Sequence, residues 1–269
     1  MTNTLKNKEI LKQSFIDPAS EVKFPPVALS KGTYGFHNYP LRIATYGNFS
    51  FIHSHAKSGK TFFTSLLAAV YLSDGCVNGD NLRGHRNGRK LIHYDTEQGD
   101  FDAHIVFKRV VDLADKSDDY FTYALREYSP RERLDFIDWH LSVEENVGLV
   151  ILDGVADLVN DINDINQANY VVGRLMKWTK EHNIHIITVI HSNYGSDKPT
   201  GHLGSSLEKK CETQIQLNRE EDSSNVLVKC KRSRGQAFED FQFTINKQGF
   251  PEVMEDIPNR IDGEKYTRV

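Results

Sequence analysis

The chain has 269 residues, with 33 lysine and arginine residues against 37 aspartate and glutamate residues and a formal net charge of −4. This balance excludes a uniformly basic coat for nucleic acid, so any contact with nucleic acid would have to come from local patches. With 39% hydrophobic residues the chain can bury a sizeable core, which argues against wholesale disorder.

The three cysteines stand at no spacing typical of metal ligands, which indicates a reducing compartment rather than a disulfide framework. The first residues contain no apolar core of a signal peptide, and no run approaches the roughly 18 apolar residues that a membrane span needs. We therefore expect a cytoplasmic protein that makes no membrane contact.

The chain divides into three parts by composition. Residues 1–30 are polar with mixed charge and end near a Phe-Pro-Pro sequence, which predicts an arm or short helix followed by an extended connector. Residues 31–250 are expected to form a single domain. Residues 251–269 are polar and are expected to form a C-terminal tail.

From residue 46 onward, short β-rich runs alternate with longer helical patterns. This alternation predicts an α/β fold with a mainly parallel central sheet flanked by helices. The predicted strands cover residues 49–53, 90–94, 120–126, 148–152 and 184–190, and the predicted helices cover residues 61–72, 102–113, 131–143 and 165–181. Closely spaced alternating segments then predict an antiparallel C-terminal extension of the sheet, at residues 212–217, 225–230 and 241–245.

The sharpest local signal lies between the first predicted strand and helix of this domain. Its Gly-Lys-Thr ending is typical of a phosphate-binding loop, whose backbone amides wrap a β-phosphate at a helix N-terminus. Lys60 would neutralise phosphate charge and Thr61 would ligate Mg²⁺. The alternative is a chance Gly-Lys-Thr in a surface loop. The residues predicted to bind nucleotide are Ser54, His55, Ala56, Lys57, Ser58, Gly59, Lys60, Thr61 and Phe62.

The motif leaves the roles of two positions in this loop open, Ser54 and Lys57. Ser54 replaces the usual first glycine, and a serine can hold the turn only if its φ stays negative. Lys57 is either a second phosphate contact or a solvated loop lysine.

Two acidic residues follow predicted strands. Asp153 ends an apolar strand, where it would hold Mg²⁺ or orient Thr61, although an aspartate there can also merely cap the next turn. Glu97 follows the strand at residues 90–94, where it would act as a general base that polarises the attacking water. The alternative for Glu97 is a solvated loop acid.

The order of these features resembles the RecA-like ATPases, which include recombinases and the DnaB and RepA types of replicative helicase. The resemblance covers approximately residues 35–250 and includes Asp-Thr-Glu at residues 95–97 and LVILDGVADLV from residue 149. The segment GHLGSSLE at residues 201–208 resembles a stretch of the helicase branch, and RepA-like members also use a small residue at the position of Ser54. The resemblance implies a RecA-like P-loop fold, binding of ATP with Mg²⁺, and hydrolysis coupled to DNA.

His191 follows the strand at residues 184–190, where RecA-like proteins carry a glutamine or histidine that senses the γ-phosphate. The resemblance therefore implies that His191 reports the nucleotide state to the next loop. A satisfied structural histidine is the alternative. Residues 194–202 correspond to a DNA-facing loop in which Lys198 and His202 are candidate contacts, against a solvated flexible loop.

Basic residues cluster after the strand at residues 225–230. In the helicases that the chain resembles, a Lys-x-Arg element here reaches the γ-phosphate of the neighbouring subunit. The resemblance implies that Arg232 and Arg234 supply such an arginine finger, with Lys231 as a helper. The alternative is a basic hairpin tip in solvent.

A second basic cluster lies between the first helix and the second strand of the predicted domain. Such a cluster either binds a phosphate backbone without sequence preference or forms an ordinary charged loop. Its members are Arg83, Arg86, Arg89 and Lys90.

Together these features predict an ATP-hydrolysing RecA-like motor on single-stranded DNA, similar to RepA-like replicative helicases of plasmids and mobile elements. A finger in trans implies a homo-oligomer, expected as a hexameric ring or a filament, with a primase or initiator protein as a separate partner. A non-motor ATPase switch that assembles on DNA or a partner protein in recombination, mobilisation or defence shares every one of these residues. A small-molecule kinase is disfavoured by Glu97 and by the lack of an arginine-rich lid.

Overall fold

The computed structural model describes residues 3–76, 81–219 and 223–254. Its helices are α1 (Asn3–Ser14), α2 (Lys60–Leu72), α3 (Asp100–Ala114), α4 (Pro130–Val143), α5 (Ile165–His182) and α6 (Gly201–Lys210), with a 3-10 turn at Val155–Leu158. Its strands are β1 (Val27–Tyr34), β2 (Tyr39–Thr45), β3 (Phe49–Ser54), β4 (Leu82–Gly84), β5 (Lys90–Asp95), β6 (Tyr120–Ala124), β7 (Val147–Asp153), β8 (His185–His191), β9 (Thr213–Arg219), β10 (Asn225–Ser233), β11 (Phe241–Ile245) and β12 (Pro251–Val253).

The central sheet has the strand order β12-β11-β10-β9-β3-β8-β7-β5-β6. The strands from β9 to β6 in this order are parallel to their neighbours, and β10, β11 and β12 add an antiparallel edge. The predicted mainly parallel sheet with an antiparallel C-terminal extension is therefore confirmed. Because parallel strands end at one edge, the residues that follow β3, β5, β7, β8 and β9 meet there.

The segment before β3 contains structure that the sequence patterns did not predict. β1 and β2 form an antiparallel hairpin that joins β4 in a small second sheet. The boundary placed at residue 30 falls inside β1. At the other end, β12 covers the first residues of the segment assigned to the tail, and residues 255–269 lie outside the described residues.

Two hydrophobic clusters pack on opposite faces of the central sheet. One contains the buried face of α2 together with the small sheet, and includes Phe63, Leu66 and Ile43. The other contains residues of α4, α5 and α6 around Trp178, which has no exposed surface. Within the described ranges, no helix is long and apolar enough to cross a membrane.

The second basic cluster is largely tied into the fold. Arg86 pairs with Asp119 at 3.0 Å, and the Arg89 guanidinium lies 4.2 Å from the centre of the Tyr46 ring. Lys90 forms an ion pair with the glutamate that ends α4. These contacts lie at the amino end of β5, away from the edge where the phosphate loop sits. The structure therefore favours a structural role for these three residues over a phosphate-backbone patch.

His93 on β5 is fully buried, so its protonation state is coupled to the stability of the fold. Its Nδ1 lies 3.0 Å from the Tyr120 hydroxyl, and burial lowers the pKa of His93 to about 3. Because the folded chain binds fewer protons here than the unfolded chain, the stability tied to neutral His93 is present above pH 6.5 and is lost as the pH falls toward the folded pKa.

We expect His93→Phe to remove this pH dependence. Relative to the variant, the wild-type free energy of unfolding should fall by about 2 kcal/mol between about pH 7.5 and about pH 5, measured by urea unfolding. The exposed Val22→Ala variant is the control, because it changes no titratable group, and its difference from wild type should not change with pH. A pH-independent difference for His93→Phe would contradict the prediction.

Candidate phosphate-binding site

The loop between β3 and α2 adopts a conformation that depends on one glycine. Gly59 has φ of 87°, a left-handed conformation that favours glycine. A Cβ built at Gly59 would lie 3.1 Å from Val226 Cγ2 on β10, so a side chain would also press on the neighbouring strand. No side chain caps α2, so the amides of its first turn remain available to an anion.

The backbone of Ser54 keeps the negative φ that a serine needs at this turn. Ser54 is absent from the residues with positive φ, so a serine fits there without strain. Its hydroxyl donates to the carbonyl oxygen of His55 at 3.0 Å, which holds the start of the loop.

The Lys60 ammonium folds back toward the loop and contacts the end of β8. It donates to the His55 carbonyl oxygen at 3.1 Å and approaches Ser54 Oγ at 3.4 Å. It also lies 3.2 Å from His191 Nδ1, and burial lowers the pKa of Lys60. Because an ammonium can only donate, His191 Nδ1 accepts and its ring proton is on Nε2.

Glu97 completes this chain of polar groups. Its Oε1 lies 3.9 Å from His191 Nε2, the nitrogen that carries the proton. The contact with the His191 imidazole lowers the pKa of Glu97, against the opposing effect of partial burial. Glu97 is therefore a carboxylate at neutral pH and has the charge that a general base needs.

Asp153 ends β7 in an environment that disfavours its negative charge. Its side chain is 5% exposed, and burial, with the nearby Asp95 and Glu97 carboxylates adding to the effect, raises the pKa of Asp153 to about 7. Its Oδ2 has no hydrogen-bond partner among the described residues. A buried carboxylate oxygen without a donor is suited to a divalent cation, which would supply the missing positive charge.

Asp95 and Thr96, to which the sequence assigned no role of their own, shape this edge. Asp95 pairs in register with Asp153 and accepts the backbone N–H groups of Glu97 and Gln98 at 3.0 and 2.8 Å, which fixes the turn after β5. The Thr96 hydroxyl lies 3.0 Å from the Asp153 carbonyl oxygen and so joins the ends of β5 and β7.

These groups enclose a cavity of about 540 Å³. Most of the residues that line this cavity were predicted from the sequence as site residues. Gln98 and Arg219 also line it and were not predicted. Its lining consists of Lys57, Ser58, Gly59, Lys60, Thr61, Phe62, Glu97, Gln98, Asp153, His191 and Arg219.

Arg219 reaches the cavity from the end of β9. Its Nη1 lies 3.4 Å from the Lys57 carbonyl oxygen, and its Nε donates to the Ser223 carbonyl oxygen at 2.7 Å. No local pattern marks Arg219, because it comes to the loop only through the pairing of β9 with β3.

The structure does not bring the predicted finger residues to this cavity. Since β10 is antiparallel to β9, Lys231, Arg232 and Arg234 lie toward the opposite end of the sheet. Arg232 donates to the Glu208 carbonyl oxygen at 3.0 Å, and Arg234 donates to the Lys210 carbonyl oxygen at 2.8 Å. Both arginines therefore hold the end of α6, and they could reach a phosphate site only in another subunit.

The segment after β8 forms a short closed loop beside the cavity. The Asn193 N–H donates to the Lys198 carbonyl oxygen at 2.8 Å, and the Thr200 N–H and hydroxyl both donate to the His191 carbonyl oxygen. Tyr194 at its tip is fully exposed.

A second cavity, of about 530 Å³, adjoins the first because Phe62 lines both. The Arg109 guanidinium lies 4.2 Å from the centre of the Phe62 ring. Phe101, in the first turn of α3, also lines this cavity and is 78% exposed. Its remaining lining residues are His104, Ile105, Lys108, Asp112, Gln248, Gly249 and Phe250.

Comparison with known proteins places the chain by family and fold. The family model described as an AAA domain matches residues 43–197, which is more than half of the chain. The crystal structure of the RadB recombinase is similar with a TM-score of 0.53 and 16% sequence identity, over 78% of this chain and 92% of that one. The RecA-like fold predicted from the sequence is thereby confirmed. No curated protein matches the chain.

Proposed function

The chain belongs to the AAA domain family and is a P-loop ATPase with a RecA-like fold, and on that premise we propose that it is an ATP-driven motor on single-stranded DNA. The observation that supports this is the meeting of Lys60, Glu97, Asp153 and His191 around one cavity beside an exposed loop. The specific proposal is a RepA-like replicative helicase of a plasmid or mobile element.

In this proposal the triphosphate lies against the amides of the loop and the start of α2, where Lys60 leaves His191 to pair with phosphate oxygens. Thr61 and Asp153 line the cavity and would hold Mg²⁺, which when bound neutralises developing phosphate charge. The unpaired Asp153 oxygen and the raised pKa of Asp153 fit this role. Glu97 accepts the proton of the attacking water, and the His191 imidazole lies 3.9 Å from the Glu97 carboxylate.

The loop beside the cavity supplies the groups for DNA. Tyr194 presents a fully exposed ring on which a base can stack, and Lys198 of the loop and His202 in the first turn of α6 are the candidates for phosphate contacts. Stacking and point charges read no sequence, which suits a protein that moves along a strand.

Self-association follows from two features. Arg232 and Arg234 lie away from their own phosphate cavity, so as fingers they must serve a neighbouring copy. In addition, every described side chain of α1 is exposed, and an isolated 12-residue helix is only marginally stable in water. We propose a homo-oligomer, most simply a hexameric ring, with any primase or initiator as a separate partner.

The proposal predicts that steady-state ATP hydrolysis rises more steeply than in proportion to protein concentration and is stimulated by single-stranded DNA. The reason is that a shared site exists only in the oligomer, and DNA orders the loop beside it. The measurement is the ATPase rate against concentration with and without poly(dT). Hydrolysis indifferent to both would overturn the shared site and the motor, and stimulation without strand separation in an unwinding assay would favour the ATPase switch.

Glu97→Gln should retain ATP binding and lower turnover by about 10²-fold or more, the scale of losing a general base. The matched control is Asp100→Asn, an exposed acid three residues along the chain that should leave turnover unchanged. ATP affinity is measured by calorimetry and turnover by phosphate release. Near-normal turnover of the glutamine variant would remove Glu97 from the mechanism.

The second cavity is proposed to take the nucleobase, since its wall at Phe62 is shared with the phosphate cavity. The exposed Phe101 ring is the residue whose apolar face such a ligand would cover.

We expect Phe101→Ala to weaken ATP binding about tenfold, the scale of one base–aromatic stack. Binding of inorganic tripolyphosphate should not change, because it has no base. The control is Phe36→Ala, which removes another exposed ring, from the turn between β1 and β2. Calorimetric titration of both ligands makes the measurement, and equal ATP affinity for wild type and Phe101→Ala would place the base elsewhere.

A further inference from the structure

A polar residue occupies the interior of the central sheet one position before the phosphate loop. His53 lies on β3, has no exposed surface, and follows the apolar pair Phe51 and Ile52. Its Nδ1 lies 3.0 Å from Ser192 Oγ, and its Nε2 lies 3.1 Å from Gln214 Nε2. A histidine in this place therefore joins β3 to the residue that follows β8 and to the start of β9.

The partners fix the direction of both hydrogen bonds. The Gln214 amide nitrogen can only donate, so His53 Nε2 accepts and the ring proton is on Nδ1. His53 therefore donates to the Ser192 hydroxyl oxygen. Burial, with a smaller effect of the Lys231 charge, lowers the pKa of His53 to about 4, so the ring is neutral and keeps this arrangement at neutral pH.

Ser192 begins the segment of residues 192–199, which is tied to the phosphate loop by direct contacts. Its backbone N–H donates to the Ser54 carbonyl oxygen at 2.8 Å, and it forms an isolated bridge with Pro199. Near the tip of the segment, Asp197 Oδ1 lies 3.8 Å from His55 Nε2. The segment thus touches Ser54 and His55, the first two residues of the loop that is proposed to bind phosphate.

We propose that His53 is a positioning residue that couples nucleotide binding in the phosphate loop to the position of residues 192–199 through its hydrogen bond to Ser192. This coupling rests on the proposed function, since it requires nucleotide in the loop, and it acts separately from the contact between Lys60 and His191. Its effect is to carry the nucleotide state to Tyr194 and Lys198, the groups proposed to contact single-stranded DNA.

Two substitutions at the same buried position separate the coupling from packing. In His53→Asn the amide nitrogen takes the place of Nδ1 and can still donate to Ser192. In His53→Gln the longer side chain reaches the place of Nε2, so it keeps the contact with Gln214 and loses the one with Ser192. Ser192→Ala removes the same hydrogen bond from the other side.

The measurement uses the full chain with Tyr194→Trp as a fluorescent reporter at the exposed tip of the loop. Each variant is also made without the Tyr194→Trp change, and its fluorescence, which comes from Trp139 and Trp178, is subtracted. Fluorescence is followed on titration with MgATPγS, and nucleotide affinity is measured separately by calorimetry. We expect the reporter to respond to nucleotide in the parent and in His53→Asn. In His53→Gln and Ser192→Ala the response should fall about fivefold, the scale of one hydrogen bond, while nucleotide affinity stays within about twofold of the parent.

Equal responses in all variants would overturn the coupling and leave nucleotide binding intact. A loss of response that is matched by loss of nucleotide affinity would show that His53 only supports the structure of the loop, and would also overturn it. If the parent itself binds no MgATPγS, the proposed function fails and the coupling fails with it, so the two failures are distinguishable.

Discussion

The site depends on the burial of β3 on both faces between β8 and β9. Every residue of β3 is buried, and from Phe63 onward α2 is buried as well, so the two anchors of the phosphate loop are held by the core. Each large apolar side chain in such a core contributes about 1.5–3 kcal/mol, which makes displacement of either anchor costly. Residues 55–59 span the gap between these two anchors, and the polar groups at neighbouring strand ends are placed relative to them.

This arrangement concentrates like charge. The register that sets β5 beside β7 puts Asp95 next to Asp153, and the turn after β5 adds Glu97. Burial and mutual repulsion raise the pKa of Asp153, while Lys60 provides the nearby positive charge that opposes them. The acidic side of the cavity therefore favours binding of a cation, and its loop favours binding of an anion. Mg²⁺ bound to a phosphate would supply both the positive and the negative charge.

Features with a strong local pattern were predictable from the sequence. The buried runs of β7 and β8, the amphipathic helices and the Gly-Lys-Thr ending each have a local signature, and together they predicted the sheet and its phosphate edge. The hairpin of β1 and β2 was missed because register shifts interrupt its pairing and blur its alternation. Arg219 and the partners of His53 were missed for another reason: they reach the loop through strand pairing between distant parts of the chain, which no local pattern encodes. The same limit explains the Arg86 and Arg89 cluster, whose partners were invisible in sequence.

Helix α6 connects the loop beside the cavity with Arg232 and Arg234. Its first residue follows Thr200, which closes the loop beside the cavity, and its last carbonyl oxygens are held by Arg232 and Arg234. If these arginines serve a neighbouring copy, they must release the end of α6 to do so. The helix, about 15 Å long, would then stay bound at its first turn to the loop of its own subunit and lose its arginine contacts at its last turn. In the proposed ring, nucleotide bound at one site would then change how firmly α6 is held in the adjacent subunit, and with it the loop that is proposed to contact DNA.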